Sequence, residues 1–311
     1  VTKSATAFAP ATVANVAVGF DILGFALKGL GETATVERIK QPTVVVMPVA
    51  GHADIPVDPL KNTASAGLVR LREDKKLPFG FKVILQKEIP VGSGLGGSAA
   101  SAVAAIVAAN VLLAKKLSRA ELLEYALVGE AAASGARHGD NVGPCLEGGL
   151  VFVRSHPQVE LVKIKTPPSL RCVIALPKLS VKTREARGIL QPHVPLKTAV
   201  QQTANLTGFL LGLANKDMEL IGRSLNDEMI EPQRAGLIPC LPHLKEAAYQ
   251  AGALGCSISG SGPAVFALVD GEATAKRVLK LWKVTAEVHD FTLVKAWVSP
   301  LSCPGASVRK K

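Results

Sequence analysis

The sequence predicts an α+β fold arranged as one large or two ordinary domains. Strand and helix patterns are mixed along the chain without the strict alternation of a doubly wound sheet. A length of 311 residues with 48% hydrophobic content supplies ample core for a fold of that size. The strongest local signal is a glycine-rich turn that runs straight into an alanine-rich helix.

Apolar alternation predicts strands at 33–39, 43–48, 81–86 and 149–154. Helical spacing predicts helices at 64–74, 98–116 and 119–133, the last with Ser118 as its N-cap. Beyond His156 the order suggests a second unit. It opens with a strand at 171–176, followed by helices at 197–214, 217–224 and 242–251. A strand at 255–259, a glycine turn, a strand at 264–269, a helix at 272–284 and a strand near 291–298 complete it. The proline-containing stretch 156–168 is the expected boundary, giving units of 1–160 and 161–311 with no internal repeat.

The turn reads Pro90-Val91-Gly92-Ser93-Gly94-Leu95-Gly96-Gly97-Ser98-Ala99-Ala100. Its glycines remove Cβ atoms where a ligand must approach the backbone. A loop of free amides entering a helix N-terminus suits an anion, most often phosphate. Gly92-x-Gly94-x-x-Gly97 satisfies the dinucleotide fingerprint only on paper, because Lys87 to Pro90 separate the preceding strand from the first glycine. The acidic residue required about 20 positions later is also missing from a strand end; Glu121 and Glu124 lie in a helical pattern. No Gly-Lys-Ser/Thr follows the glycines, which excludes a Walker loop. A plain tight turn that lets a helix pack is the competing interpretation.

Five scattered cysteines without Cys-x-x-Cys spacing favour reduced thiols over a disulfide frame or a zinc site. The expected compartment is the cytoplasm, or a plastid stroma for a plant protein whose transit peptide has been removed. The longest apolar run, 99–114, is too short for a comfortable membrane span, and no membrane association is expected. A net charge of +11 suits polyanionic ligands, but 4% aromatics and no aromatic-interleaved basic patch give nucleic-acid binding no support. Arg309-Lys310-Lys311 reads as a solvated tail.

Three motifs carry a family likeness: Ala9-Pro10-Ala11-Thr12-Val13-Ala14-Asn15 with Gly19-Phe20-Asp21-Ile22-Leu23-Gly24, the central glycine loop, and Ile258-Ser259-Gly260-Ser261-Gly262-Pro263. In this order and spacing the chain resembles the GHMP small-molecule kinases. Among their branches it is most similar to the homoserine kinases, through Asp140-Asn141-Val142-Gly143-Pro144, Thr183-Arg184-Glu185-Ala186-Arg187 and the run from Glu231 to Pro239. The likeness extends from Phe8 to about Trp297. It implies an N-terminal α+β domain with a left-handed crossover, a ferredoxin-like second domain, and ATP and substrate between them.

The resemblance also implies roles. Residues Pro90 to Ala100 would cradle the triphosphate, Ser98 and Glu130 would hold Mg²⁺, Asn62 would read the adenine, and Lys87 would meet a phosphate. Ser98 equally suits a helix-start hydroxyl, Asn62 a helix cap, and Glu130 and Lys87 a solvated surface. Asp21 suits the ammonium of L-homoserine with Asn15 beside it, while Arg187 and Arg234 suit its carboxylate, because guanidinium binds carboxylate in a fork. His138 and Asn141 fall at the reacting end, Thr183 on the loop leading to Arg187, and Gly260 in the third motif against the cleft. Ordinary ion pairs for the arginines and a polar turn at 138–141 are the bland alternatives. Where some relatives have an aspartate base, this chain has Asn141, so catalysis by positioning and Mg²⁺ charge stabilisation, without a carboxylate base, is expected.

Departures from the family pattern are Gly97 in place of a serine, Ala17-Val18 before Gly19, and Gly139 after His138. Asp21, Arg187 and Arg234 all survive, which favours an active kinase over a relic. The alternatives are another kinase of the same family, mevalonate-type or sugar, and a catalytically silent ligand sensor on the same fold. A homodimer is expected because dimers are common in the family.

Overall fold

A computed structural model of the chain describes residues 2–155 and 158–309. His156 and Pro157 of the expected boundary segment, and Lys310 and Lys311 of the expected tail, lie outside the described residues. The first half runs β1 (Ser4–Ala14), β2 (Leu23–Ile39), β3 (Val44–Val46), α1 (Thr63–Asp74), β4 (Gly80–Gln86), α2 (Gly97–Leu112), α3 (Arg119–Ser134), α4 (Gly139–Glu147), β5 (Leu150–Arg154) and β6 (Glu160–Ile164). The second runs β7 (Leu170–Pro177), α5 (Thr183–Gly188), α6 (Leu196–Asn215), α7 (Met218–Ser224), α8 (Glu231–Arg234), α9 (Leu241–Gln250), β8 (Gly255–Ile258), β9 (Val265–Asp270), α10 (Glu272–Val288), β10 (Leu293–Pro300) and β11 (Ser307–Arg309).

The first sheet is organised around β2, whose start pairs with β5 and whose end pairs with β4, while β1 runs antiparallel along both parts. Of β1 and β2, only the second part of β2 was expected, and β1 was not. In β1 the inward residues are alanines, Ala5, Ala7, Ala9 and Ala11, all buried, and alanine carries little strand signal. Pro10 sits at the register shift in the β1–β2 ladder, where a proline is tolerated. β3 and β4 run parallel, connected through α1.

Helix α2 lies against β1, β2, α1, α3 and α4. Its alanine content follows from that position: a helix surrounded on every side must be apolar all round, and small side chains let its neighbours come close. It ends at Leu112 rather than near 116, where Leu113 turns extended and Lys116 Nζ donates back to the carbonyls of Val111 and Leu113 at 2.8 Å each. Helix α3 begins with the expected Ser118 cap, here completed as a reciprocal box with Glu121.

The second sheet has the order β10-β7-β9-β8, with antiparallel neighbours throughout. On β7, Leu170, Cys172, Ile174 and Leu176 face the large core shared with the first sheet, whereas Val173 and Ala175 face α9 and α10. This period-two division welds the two sheets through one core. The expected division at 160 and 161 falls inside β6, which pairs with β5 of the first sheet. The sheet changes between Ile164 and Leu170. The C-terminal strand also returns: Arg309, expected in a solvated tail, pairs opposite Thr6 and lies over the Phe8 ring. No helix among the described residues is long and apolar enough to cross a membrane.

Candidate active site

The loop between β4 and α2 has a one-sided polarity. Its carbonyls are tied to protein donors: Gly92 O accepts from Val181 N–H (3.1 Å), Ser93 O from Ala264 N–H (3.1 Å) and Leu95 O from Thr12 N–H (3.1 Å). Gly94 O accepts from the Ser259 hydroxyl at 2.7 Å. None of the amides from Gly92 to Ala99 donates to an acceptor among the described residues. Gly92, Gly94 and Gly96 have φ of 68°, 75° and 67°, a left-handed path that aims the amides away from the anchored carbonyls. At Gly94 an added Cβ would lie 2.4 Å from Ser259 O and at Gly96 2.1 Å from Thr12 Oγ1, so the loop tolerates no side chain there. Gly96 also caps α2 without any side-chain hydrogen bond, leaving the helix start open.

The three motifs are joined. Asn15, Val16 and Ala17 all have positive φ, and Val16 is a buried β-branched residue, so the first motif holds real backbone strain. Asn15 Oδ1 accepts from Asp21 N–H at 3.2 Å and Asn15 Nδ2 donates to Gly260 O at 3.1 Å. Gly260 N–H donates to Ala14 O. Gly260 therefore acts through its backbone, locking the first motif to the third, with both groups engaged by protein.

The charged residues converge beside this knot. Arg187 donates from Nη1 and Nη2 to the two Asp21 oxygens at 3.0 and 2.8 Å. These two side chains were expected to take the ammonium and the carboxylate on a substrate's α-carbon; the structure pairs them with each other. Arg234, nearly fully buried, donates from Nε to Ala186 O and from Nη1 to Gly260 O at 3.0 and 2.9 Å, leaving Nη2 rather than a whole fork. Both guanidinium groups lie over the Phe20 ring, at 5.4 and 5.3 Å. Thr183 Oγ1 is 3.4 Å from Ser261 Oγ, bringing α5 against the third motif.

Behind the pair sits a buried polar cluster. His138 Nδ1 is 3.1 Å from Glu130 Oε1, and this bond holds the imidazole pKa above its usual value. His138 Nε2 has no partner among the described residues. Asn141 Oδ1 accepts from the Thr12 hydroxyl at 2.8 Å. Burial, followed by the charge of Asp21, pushes the Asp140 carboxyl up to about 7, opposed by His138 and Arg187. Ser98, on the first turn of α2, and Glu130, on the adjoining α3, present a hydroxyl and a buried carboxylate. Both are hard oxygen donors, the chemistry that suits a hard cation.

Several candidate residues have structural partners within the protein. Asn62 caps α1, accepting from Ala64 N–H at 2.9 Å and donating to Pro56 O at 2.7 Å, and is 1% exposed. Its amide is the cap of α1. Lys87 is buried in an ion pair with Glu32 at 2.9 Å and donates to Gly97 O and Ser101 Oγ, so its charge supports the loop from below. Pro90 has no amide, Val91 is exposed, and Ala100 N–H donates to Gly96 O, so the donor arc runs from Gly92 to Ala99. Thr12, Phe20, Glu32 and Asp140 also belong to the site although no role was expected of them. The first two stood inside the first motif, and Phe20 is conspicuous in a chain with 4% aromatics.

Family models for the GHMP kinases N-terminal domain and C-terminal domain match residues 62–149 and 209–283. A homoserine kinase of Xylella fastidiosa is 45% identical over 303 residues, 97% of this chain and 93% of the relative. One from Chloroherpeton thalassium is 40% identical over 317 residues, 98% and 99% of the two chains. The crystal structure of homoserine kinase from Cytophaga hutchinsonii superposes with a TM-score of 0.95 at 41% identity, over 99% of this chain and 98% of that one. The chain belongs to the GHMP kinase family, in its homoserine kinase branch.

Proposed function

We propose that the protein transfers the γ-phosphoryl group of ATP to the side-chain hydroxyl of L-homoserine, giving O-phospho-L-homoserine and ADP on the route to threonine. The observation that carries this reading is the 92–99 loop, whose carbonyls are anchored and whose amides are free, beside a cluster holding both charges an α-amino acid needs. Use of ATP follows from the family. Phosphoryl transfer asks the protein for positioning and charge neutralisation rather than covalent chemistry. Loop amides and the open start of α2 would hold the triphosphate. Ser98 and Glu130 would hold Mg²⁺, which when bound neutralises phosphate charge.

On the acceptor side, Asp21 with Asn15 would take the ammonium. Arg187, the free Nη2 of Arg234 and Thr183 would take the carboxylate. His138 Nε2 and Asn141 would orient the reacting end. An amide accepts no proton, so in this reading the hydroxyl proton leaves through the phosphate. A cleft between units 1–160 and 161–311, a cytoplasmic location and a homodimer belong to the same proposal. The exposed apolar stripe of Leu196, Val200 and Leu211 on α6 supports the dimer.

Steady-state kinetics of Asn141→Asp and Asn141→Ala test the mechanism. The expected result is a KM for homoserine raised about tenfold with kcat retained within about tenfold. Complete loss in both, with fold and binding intact, means that Asn141 has an indispensable chemical role.

A further inference from the structure

Arg187 has two edges that a carboxylate can grip, the Nη1/Nη2 end and the Nε side. Asp21 occupies the first in a bidentate pair at 3.0 and 2.8 Å. The second is closed: Arg187 Nε is buried and has no partner among the described residues. Arg234 offers no substitute fork, because its Nε and Nη1 are held by Ala186 O and Gly260 O. An incoming carboxylate therefore reaches a guanidinium fork only where Asp21 already sits. The Asp21 and Arg187 side chains are each 40% exposed, so the pair is within reach of solvent and its rupture is not prohibitive.

We propose that the Asp21–Arg187 ion pair is a partner-exchange lock, opened by a ligand that carries both an ammonium and a carboxylate. The carboxylate takes Arg187 from Asp21, the ammonium takes Asp21 from Arg187, and neither protein charge is left alone. A ligand with one charge strands the other partner, which is how the pair discriminates against it. The lock also spans the molecule. Asp21 follows the strained turn of the first motif, and Arg187 lies on α5, which Arg234 anchors through Ala186 O. This inference rests on the homoserine reading and adds that the protein's own carboxylate is the competitor each ligand must displace.

The test is titration calorimetry with 4-hydroxybutyrate, which is homoserine without its ammonium. Asp21→Asn removes the competitor while keeping a residue that accepts its φ of 60°. Asp21→Gly, equally suited to positive φ, is the second variant should the first fold poorly. Both are expected to bind 4-hydroxybutyrate about three- to fivefold more tightly than the wild type, while losing affinity for homoserine. The same substitutions made on top of Arg187→Gln are expected to give no gain, which separates release of Arg187 from simple removal of a negative charge. Unchanged or weaker binding of 4-hydroxybutyrate by Asp21→Asn and Asp21→Gly overturns the lock, as does an equal gain on the Arg187→Gln background. A wild type that neither binds nor phosphorylates L-homoserine overturns the functional reading instead, so the two failures are distinguishable.

Discussion

Asp140 shows how one buried carboxyl reports on its surroundings. Burial and the charge of Asp21 push its pKa up to about 7 from an ordinary 3.8, so the folded protein binds that proton more tightly than the unfolded chain does. The linked stability is therefore fully present below about pH 4 and is lost as pH rises through about 7. His138, raised by its bond to Glu130, contributes in the same direction, losing its share as pH rises through its folded value. Urea denaturation at about pH 5 and pH 8 is expected to show wild-type stability falling with pH and Asp140→Asn falling distinctly less. An equal decline in both would remove Asp140 from the account. Residues of this kind were the hardest to find from sequence. Asp140 was quoted within a motif, but nothing in the order of residues says that its carboxyl is enclosed by Asp21, His138, Glu130 and Arg187. The partner of Lys87 was hidden for the same reason, because Glu32 comes from the distant strand β2, whereas the Asn62 cap is local and was foreseeable.

At the scale of elements, the β4–loop–α2 unit was the most readable part of the chain, because glycine spacing and an alanine run are local signals. The orientation of its peptide groups was not readable. It depends on Val181, Ala264, Ser259 and Thr12, which arrive from distant segments to hold the loop's carbonyls. Gly94→Ala tests the consequence. Its Cβ would lie 2.4 Å from Ser259 O on a backbone with φ of 75°, so the third motif or the loop must move. The substitution is expected to raise the KM for ATP by about tenfold or more and to cost about 1–3 kcal/mol of stability. An ATP KM within about twofold of wild type would mean that the amides do not carry the triphosphate. Strands whose inward face is alanine, such as β1, and helices holding glycine and proline, such as α4, escaped sequence analysis because propensity there opposes the tertiary environment that forms them.

On the scale of the whole molecule, the mixed order of strands and helices foretold an α+β protein, and the second sheet with α9 and α10 on one face accords with the ferredoxin-like unit the resemblance implied. What sequence could not supply was the joining. One core runs from β1 and β2 through α2 to the inner faces of β7 and β9, and β11 returns to the first sheet. Such closure depends on contacts between residues far apart in the chain, which no window of sequence contains. It also ties both the 92–99 loop and the first motif to the third motif, through Ser259 to Gly94 O and Asn15 to Gly260 O. The most direct measurement is ADP release by the wild type with ATP and Mg²⁺, using L-homoserine, R-mevalonate and D-galactose in turn as acceptor. Turnover with homoserine at a kcat/KM at least about a hundredfold above the other two, with O-phosphohomoserine formed in equal amount to ADP, is the predicted result. ADP release that is independent of homoserine, or faster with mevalonate or galactose, would contradict the account.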